Sequence, residues 1–186
     1  LKNFEQASEN YSKIIQLAPP NIHKVYLNRG LSYRNLEKYS AALADYDEAI
    51  RLDPRFCEAY INRGFIKELM NDLEGAQSDY TLALQLNTNL PAIYNSRGYT
   101  YFLQNKQESA LKDYNDAIRL APQNALFYYN RAELKLTQKL LEEAHQDLSQ
   151  AFLLEPNAPR NFYLQGEIKV AYQDFEGAIR SYDEAL

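Results

Sequence analysis

The stretch YLNRGLSYRNLEKYSAALADYDEAIRLDP, from Tyr26 to Pro54, returns every 34 residues: YINRG at Tyr60, YNSRG at Tyr94, YYNRA at Tyr128 and a worn FYLQG at Phe162. The second half of the unit recurs in step, as DYDEAIRLDP from Asp45, DYTLALQLNT from Asp79, DYNDAIRLAP from Asp113 and DLSQAFLLEP from Asp147. A fixed period of this size forces a repeat architecture, in which each unit packs only on its neighbours. Within a unit the apolar residues fall at helical spacing, Tyr26, Leu27, Gly30 and Tyr33 on one helix and Ala42, Leu43, Tyr46, Ala49 and Ile50 on the next. Breaks fall near Glu37-Lys38 and at Asp53-Pro54, and Pro19, Pro122 and Pro156 repeat the second break, because proline cannot continue the helix it follows.

The expected fold is therefore all-α, one array over residues 1–186. A second helix of a partial repeat occupies 1–22, full repeats occupy 23–56, 57–90, 91–124 and 125–158, and a truncated repeat occupies 159–186. The chain opens and stops in mid-unit, which is the pattern expected of an excerpt from a longer protein. Gly30, Gly64, Gly98, Ala132 and Gly166 mark the helix crossing, with Ala42, Ala76, Ala110, Ala144 and Ala178 expected opposite them. The sixteen tyrosines suit thin two-layer structures, where a ring packs inward and its hydroxyl reaches outward.

The residues Tyr26, Gly30, Tyr33, Ala42, Tyr46, Ala49 and Pro54, with their copies, resemble the tetratricopeptide repeat family over essentially the whole chain. Departures are tyrosine or phenylalanine for the family's usual tryptophan, arginine just before the glycine, and Asn71 or Asn105 where glycine is common between the helices. The resemblance implies a right-handed superhelical solenoid whose first helices line a concave, peptide-binding groove.

Arg29, Arg63, Arg97 and Arg131 are each followed sixteen residues later by an acid, Asp45, Asp79, Asp113 and Asp147. Both members vanish together in the last unit, as Gln165 and Ser181. Guanidinium and carboxylate match in two parallel bonds, so structural ion pairs between first and second helices are expected. A 3.6-residue stripe on each first helix presents Asn28, Asn62 and Asn130 at one place, with Ser96 there as a polar stand-in beside Asn95 and Leu164 interrupting the row, together with Arg34 and the aromatics Phe65, Tyr99, Phe102 and Tyr129. A row of amides could pair with any extended backbone, and clustered aromatics mark an interaction surface. The row resembles the asparagine ladders of some family members. The alternative is that these asparagines bridge neighbouring helices. A carboxylate clamp of the family's chaperone-binding kind is not expected, since Ile61, Phe65 and Tyr99 stand where charge or amide is needed, and Glu58 and Glu68 repel a carboxylate.

The net charge of −5 argues against a general grip on nucleic-acid phosphates, and no apolar run is long enough for membrane insertion. Cys57 is the only cysteine, which excludes an internal disulfide and leans toward a reducing, cytoplasmic compartment. His23 and His145 have no partner in helical register, and there is no catalytic, metal or cofactor motif. The expected function is that of a non-enzymatic protein-interaction scaffold binding an extended or helical peptide. Two alternatives are a targeting arm of a larger enzyme, and self-association through uncapped ends.

Overall fold

A computed structural model describes residues 2–186. Among them are eleven helices and no strand: α1 (Lys2–Gln16), α2 (Ile22–Asn35), α3 (Tyr39–Leu52), α4 (Cys57–Leu69), α5 (Leu73–Leu86), α6 (Pro91–Leu103), α7 (Gln107–Leu120), α8 (Ala125–Thr137), α9 (Leu141–Leu154), α10 (Pro159–Ala171) and α11 (Phe175–Glu184). They form two compact units that meet in sequence between Asn89 and Leu90, one residue before the expected junction of the 57–90 and 91–124 repeats. In the first unit α1 to α5 pack in chain order, and α2 also touches α4. In the second, α6 to α11 pack in chain order, with α6 against α8 and α8 against α10. First helices thus form a face of their own in each unit.

The connections follow from backbone chemistry. Asp72 and Asp174 cap their helices by accepting from the Gly75 and Gly177 amides, and Pro91 and Pro159 open theirs. Between the helices of each hairpin one residue takes left-handed geometry: Glu37, Asn71, Asn105, Lys139 and Gln173, with φ between 57° and 64°. Around Asn71 the Asp72 amide donates to the Lys67 carbonyl at 2.8 Å and the Asn71 amide to Glu68 at 2.9 Å, closing a Schellman turn. The same pair of bonds recurs at the other four turns, so the geometry is held even where glutamate, lysine or glutamine must adopt it.

The core is built on the helix crossing. A methyl placed on Gly30 would lie 2.5 Å from Cε1 of Tyr46, and one on Gly64 or Gly98 would lie 2.9 Å from the ring of Tyr80 or Tyr114. Each glycine therefore admits a tyrosine ring, rather than the alanine the sequence suggested. Tyr46, Ala42 and Ile66 then form one buried cluster joining two successive hairpins. Where the glycine becomes Ala132, the ring shrinks to Leu148 in the same position, and the two share a buried cluster.

Equivalent tyrosines differ in their hydroxyls. Tyr80 donates to Glu68 at 3.0 Å, whereas the fully buried Tyr46 hydroxyl has no hydrogen-bond partner among the described residues. Burial pushes the Tyr46 phenol up to about 12, against an opposing pull from Arg34. Tyr46→Phe is accordingly expected to be neutral or stabilising by up to about 1 kcal/mol at pH 7, and Tyr80→Phe destabilising by about 1–2 kcal/mol. The neutral phenol is the form the fold prefers, so its contribution is whole below pH 10 and lost as pH climbs through about 12. Urea unfolding at pH 7 and at alkaline pH should therefore show a steeper alkaline loss in the parent than in Tyr46→Phe. Equal alkaline slopes would show that the phenol is not confined as described.

Candidate functional site: the face of the first helices

The polar spine beneath this face comes first, because it holds the helices in register. Arg29, Arg63, Arg97 and Arg131 each grip the aspartate sixteen residues on, Asp45, Asp79, Asp113 or Asp147, through two bonds of 2.6–2.9 Å. Each pair lies within its own hairpin, and the aspartates are buried. A further guanidinium nitrogen reaches back to the preceding second helix: Arg29 to Ser12, Arg63 to Asp47 and Arg131 to Asn115. Four residues after the arginine the chain alternates. Tyr33 and Tyr101 lie under the guanidinium at 5.8 Å, while Lys67 and Lys135 add a second cation to the aspartate at 2.9 and 2.8 Å. In the last hairpin a neutral bond, Ser181 Oγ to Gln165 at 2.9 Å, replaces the pair, and Lys169 donates to the same hydroxyl.

On the face itself, the first unit brings Arg34, Asn62 and Phe65 together. Arg34 donates to Asn62 Oδ1 at 3.0 Å and its guanidinium lies 5.6 Å from the Phe65 ring centre. Asn62 in turn donates to the Glu58 carbonyl, and Asn28 stands exposed. In the second unit Asn130 donates to Asn95 at 2.9 Å, and both are buried. The asparagines therefore do not form an open row: three of the four spend amide groups on their own or adjacent first helices. Tyr99 and Phe102 lie side by side at 6.4 Å, and Tyr129 is half-buried with the Arg160 guanidinium 6.0 Å away.

Sequence reasoning did not single out Glu133, Tyr163 and Glu167. Tyr129 and Glu133 on α8, like Tyr163 and Glu167 on α10, are four apart and share a helix face, a spacing visible in the sequence. Only the packing of α8 on α10 makes the two pairs neighbours. Tyr182 donates to Glu167, and the Tyr163 and Tyr182 rings lie 5.6 Å apart. Burial lifts the Glu133 carboxyl above the usual carboxylate range, and burial likewise lifts Glu68 despite its bond from Tyr80. Among the described residues no group of three or more His, Cys, Asp or Glu could hold a metal ion, and no helix is long and apolar enough to cross a membrane. At the chain's last helix, α11 leaves Phe175 and Ile179 exposed.

Repeated helical hairpins, each with its first helix on the first-helix face of its unit and a small residue at the crossing that admits a ring or, at Ala132, a leucine, define a helical-repeat protein. Residues 23–56 and 58–90 match families described as tetratricopeptide repeat, and residues 98–139 match one described as TPR repeat. The chain belongs to the tetratricopeptide repeat family. Among solved structures it is similar to MamA from Desulfovibrio magneticus RS-1, with 18% identity, TM-score 0.80 and coverage of 90% of this chain and 94% of that one. It is also similar to YrrB, described as a TPR protein with an unusual peptide-binding site, with 20% identity, TM-score 0.77 and coverage of 96% and 91%. The Hsp70-Hsp90 organizing protein of Triticum aestivum is 41% identical over 51 residues, 27% of this chain and 9% of that protein. Heat shock protein STI1 of Saccharomyces cerevisiae is 34% identical over 53 residues, 28% of this chain and again 9% of that protein. The chain thus matches about a tenth of the length of these two relatives.

Proposed function

We propose that this chain is a protein-interaction scaffold that holds a peptide segment of a partner along the faces of its first helices. The observation that carries the reading is where large apolar side chains remain exposed. Phe65 and Leu69 on α4, Leu103 on α6, Leu126 on α8, and Tyr163 and Val170 on α10 are all exposed, and by helical spacing each falls on the stripe of its own first helix to which Phe65, Tyr99 and Tyr129 belong. Exposed apolar groups gathered on the first-helix face of each unit mark surfaces that another molecule covers. The family's fold, and the peptide-binding site named for YrrB, support the same reading. Binding would rest on aromatic and aliphatic contact more than on an amide ladder, since Asn62, Asn95 and Asn130 already serve the fold.

A peptide array probed with the parent chain and with a Phe65→Ala/Tyr99→Ala variant tests this. Peptides held by the parent and lost by the variant, with helical content unchanged by circular dichroism, are the expected result. Equal capture by both proteins would remove binding from this face.

A further inference from the structure

We infer that the first-helix face of the second unit selects a segment bearing lysine or arginine, seated against Tyr129, Glu133, Tyr163 and Glu167. This rests on the scaffold reading and adds the chemistry of the partner.

Counted from the first residue of each repeat (23, 57, 91, 125 and 159), the ninth position holds Leu31, Phe65 and Tyr99 in the earlier first helices and Glu133 and Glu167 in α8 and α10. Each glutamate follows a tyrosine by four residues, so one turn of helix puts a ring and a carboxylate side by side. α8 packs on α10, and Tyr129 lies close enough to both Glu133 and Tyr163 to feel their charge, which brings the two ring-and-carboxylate pairs together. Glu167 takes a hydrogen bond from Tyr182. Glu133, half-buried, has neither a hydrogen bond nor an ion pair among the described residues. A desolvated carboxylate without a partner is costly to hold, and such groups gather at functional sites.

The charge on this face is not balanced from within. The stripe of α6, α8 and α10 carries two carboxylates and the single guanidinium of Arg160. That guanidinium is already paired with Glu155, off the stripe. An acidic segment would meet Glu133 and Glu167, whereas a lysine or arginine would supply the missing charge. Its aliphatic stem would lie on the rings of Tyr129 and Tyr163, the latter 54% exposed.

The test is fluorescence anisotropy with two dye-labelled peptides of one length and one apolar pattern, carrying lysine at every third place or glutamate there. The lysine peptide is expected to bind the parent about tenfold or more tightly than the glutamate peptide, with the preference shrinking as salt rises. Glu133→Gln/Glu167→Gln should remove that preference. Glu133→Gln alone should weaken the lysine peptide while raising the melting temperature, since it removes a half-buried unpaired charge. A merely structural glutamate would not move the two readings in opposite senses. Lysine binding no tighter than glutamate binding, or undiminished by the double substitution, overturns the inference. If both peptides bind equally and both are lost in Phe65→Ala/Tyr99→Ala, only charge selection falls. If neither binds the parent, or binding survives that variant, the scaffold reading falls with it.

Discussion

Replacing Asp79 by alanine is expected to lower the unfolding free energy by about 3 kcal/mol, the scale for stripping one partner from a buried ion pair. Asp79 is 1% exposed and accepts from Arg63 Nε at 2.9 Å, from Arg63 at a second nitrogen at 2.6 Å and from Lys67 Nζ at 2.9 Å. Without it two cations remain in a partly buried cleft, with only the exposed Asp47 left to Arg63. The last hairpin shows a solution without the ion pair, in which Gln165 and Ser181 stand where Arg63 and Asp79 stand, and Lys169, in the place of Lys67, donates to the Ser181 hydroxyl. Arg63→Gln/Asp79→Ser copies it, and should cost less than Asp79→Ala alone although it changes more residues. Urea denaturation of the three proteins decides this. A loss below about 1 kcal/mol for Asp79→Ala would reduce the pair to the worth of a surface salt bridge.

Gly30→Ala is the second large effect, expected to cost about 1–3 kcal/mol through overpacking, even though alanine favours the helix by up to about 1 kcal/mol. The new methyl would sit 2.5 Å from Tyr46 Cε1, and the ring is fully buried with nowhere to retreat. Tyr46→Leu alone should also destabilise, by leaving space over the glycine. The double substitution reproduces the natural Ala132 and Leu148 combination, and should cost clearly less than the sum of the singles. Additive losses in this double-mutant cycle would mean that the glycine and the ring do not share one space.

The parts of the fold that were legible are those set by spacing along the chain. Helices, breaks and hairpins follow from the 34-residue period, and the arginine–aspartate pairs from a constant separation of sixteen. Both are local, since two helices of one hairpin must meet in the same way each time. What faces Gly30 was misread because Ala42 and Tyr46 lie one turn apart on α3, and only the crossing geometry chooses the ring. The Asn130 to Asn95 bond spans 35 residues and depends on how α6 lies against α8, which no period reveals. The left-handed turns at Glu37, Lys139 and Gln173 were hidden for a related reason. Their side chains have no preference for that geometry, and the Schellman bonds impose it. Glu133 was visible as a charge on the stripe, but its isolation appears only when every neighbouring donor is accounted for.

The arginine and aspartate of each pair lie within a single period, and so do the glycine and the ring it admits. A duplication that copies one block of the chain therefore carries both charges and both halves of the steric fit with it. An array of this kind can grow or shrink by whole blocks without stranding a buried ion. Length, and with it the reach of the surface offered to a partner, is free to vary while the chemistry of each joint stays closed.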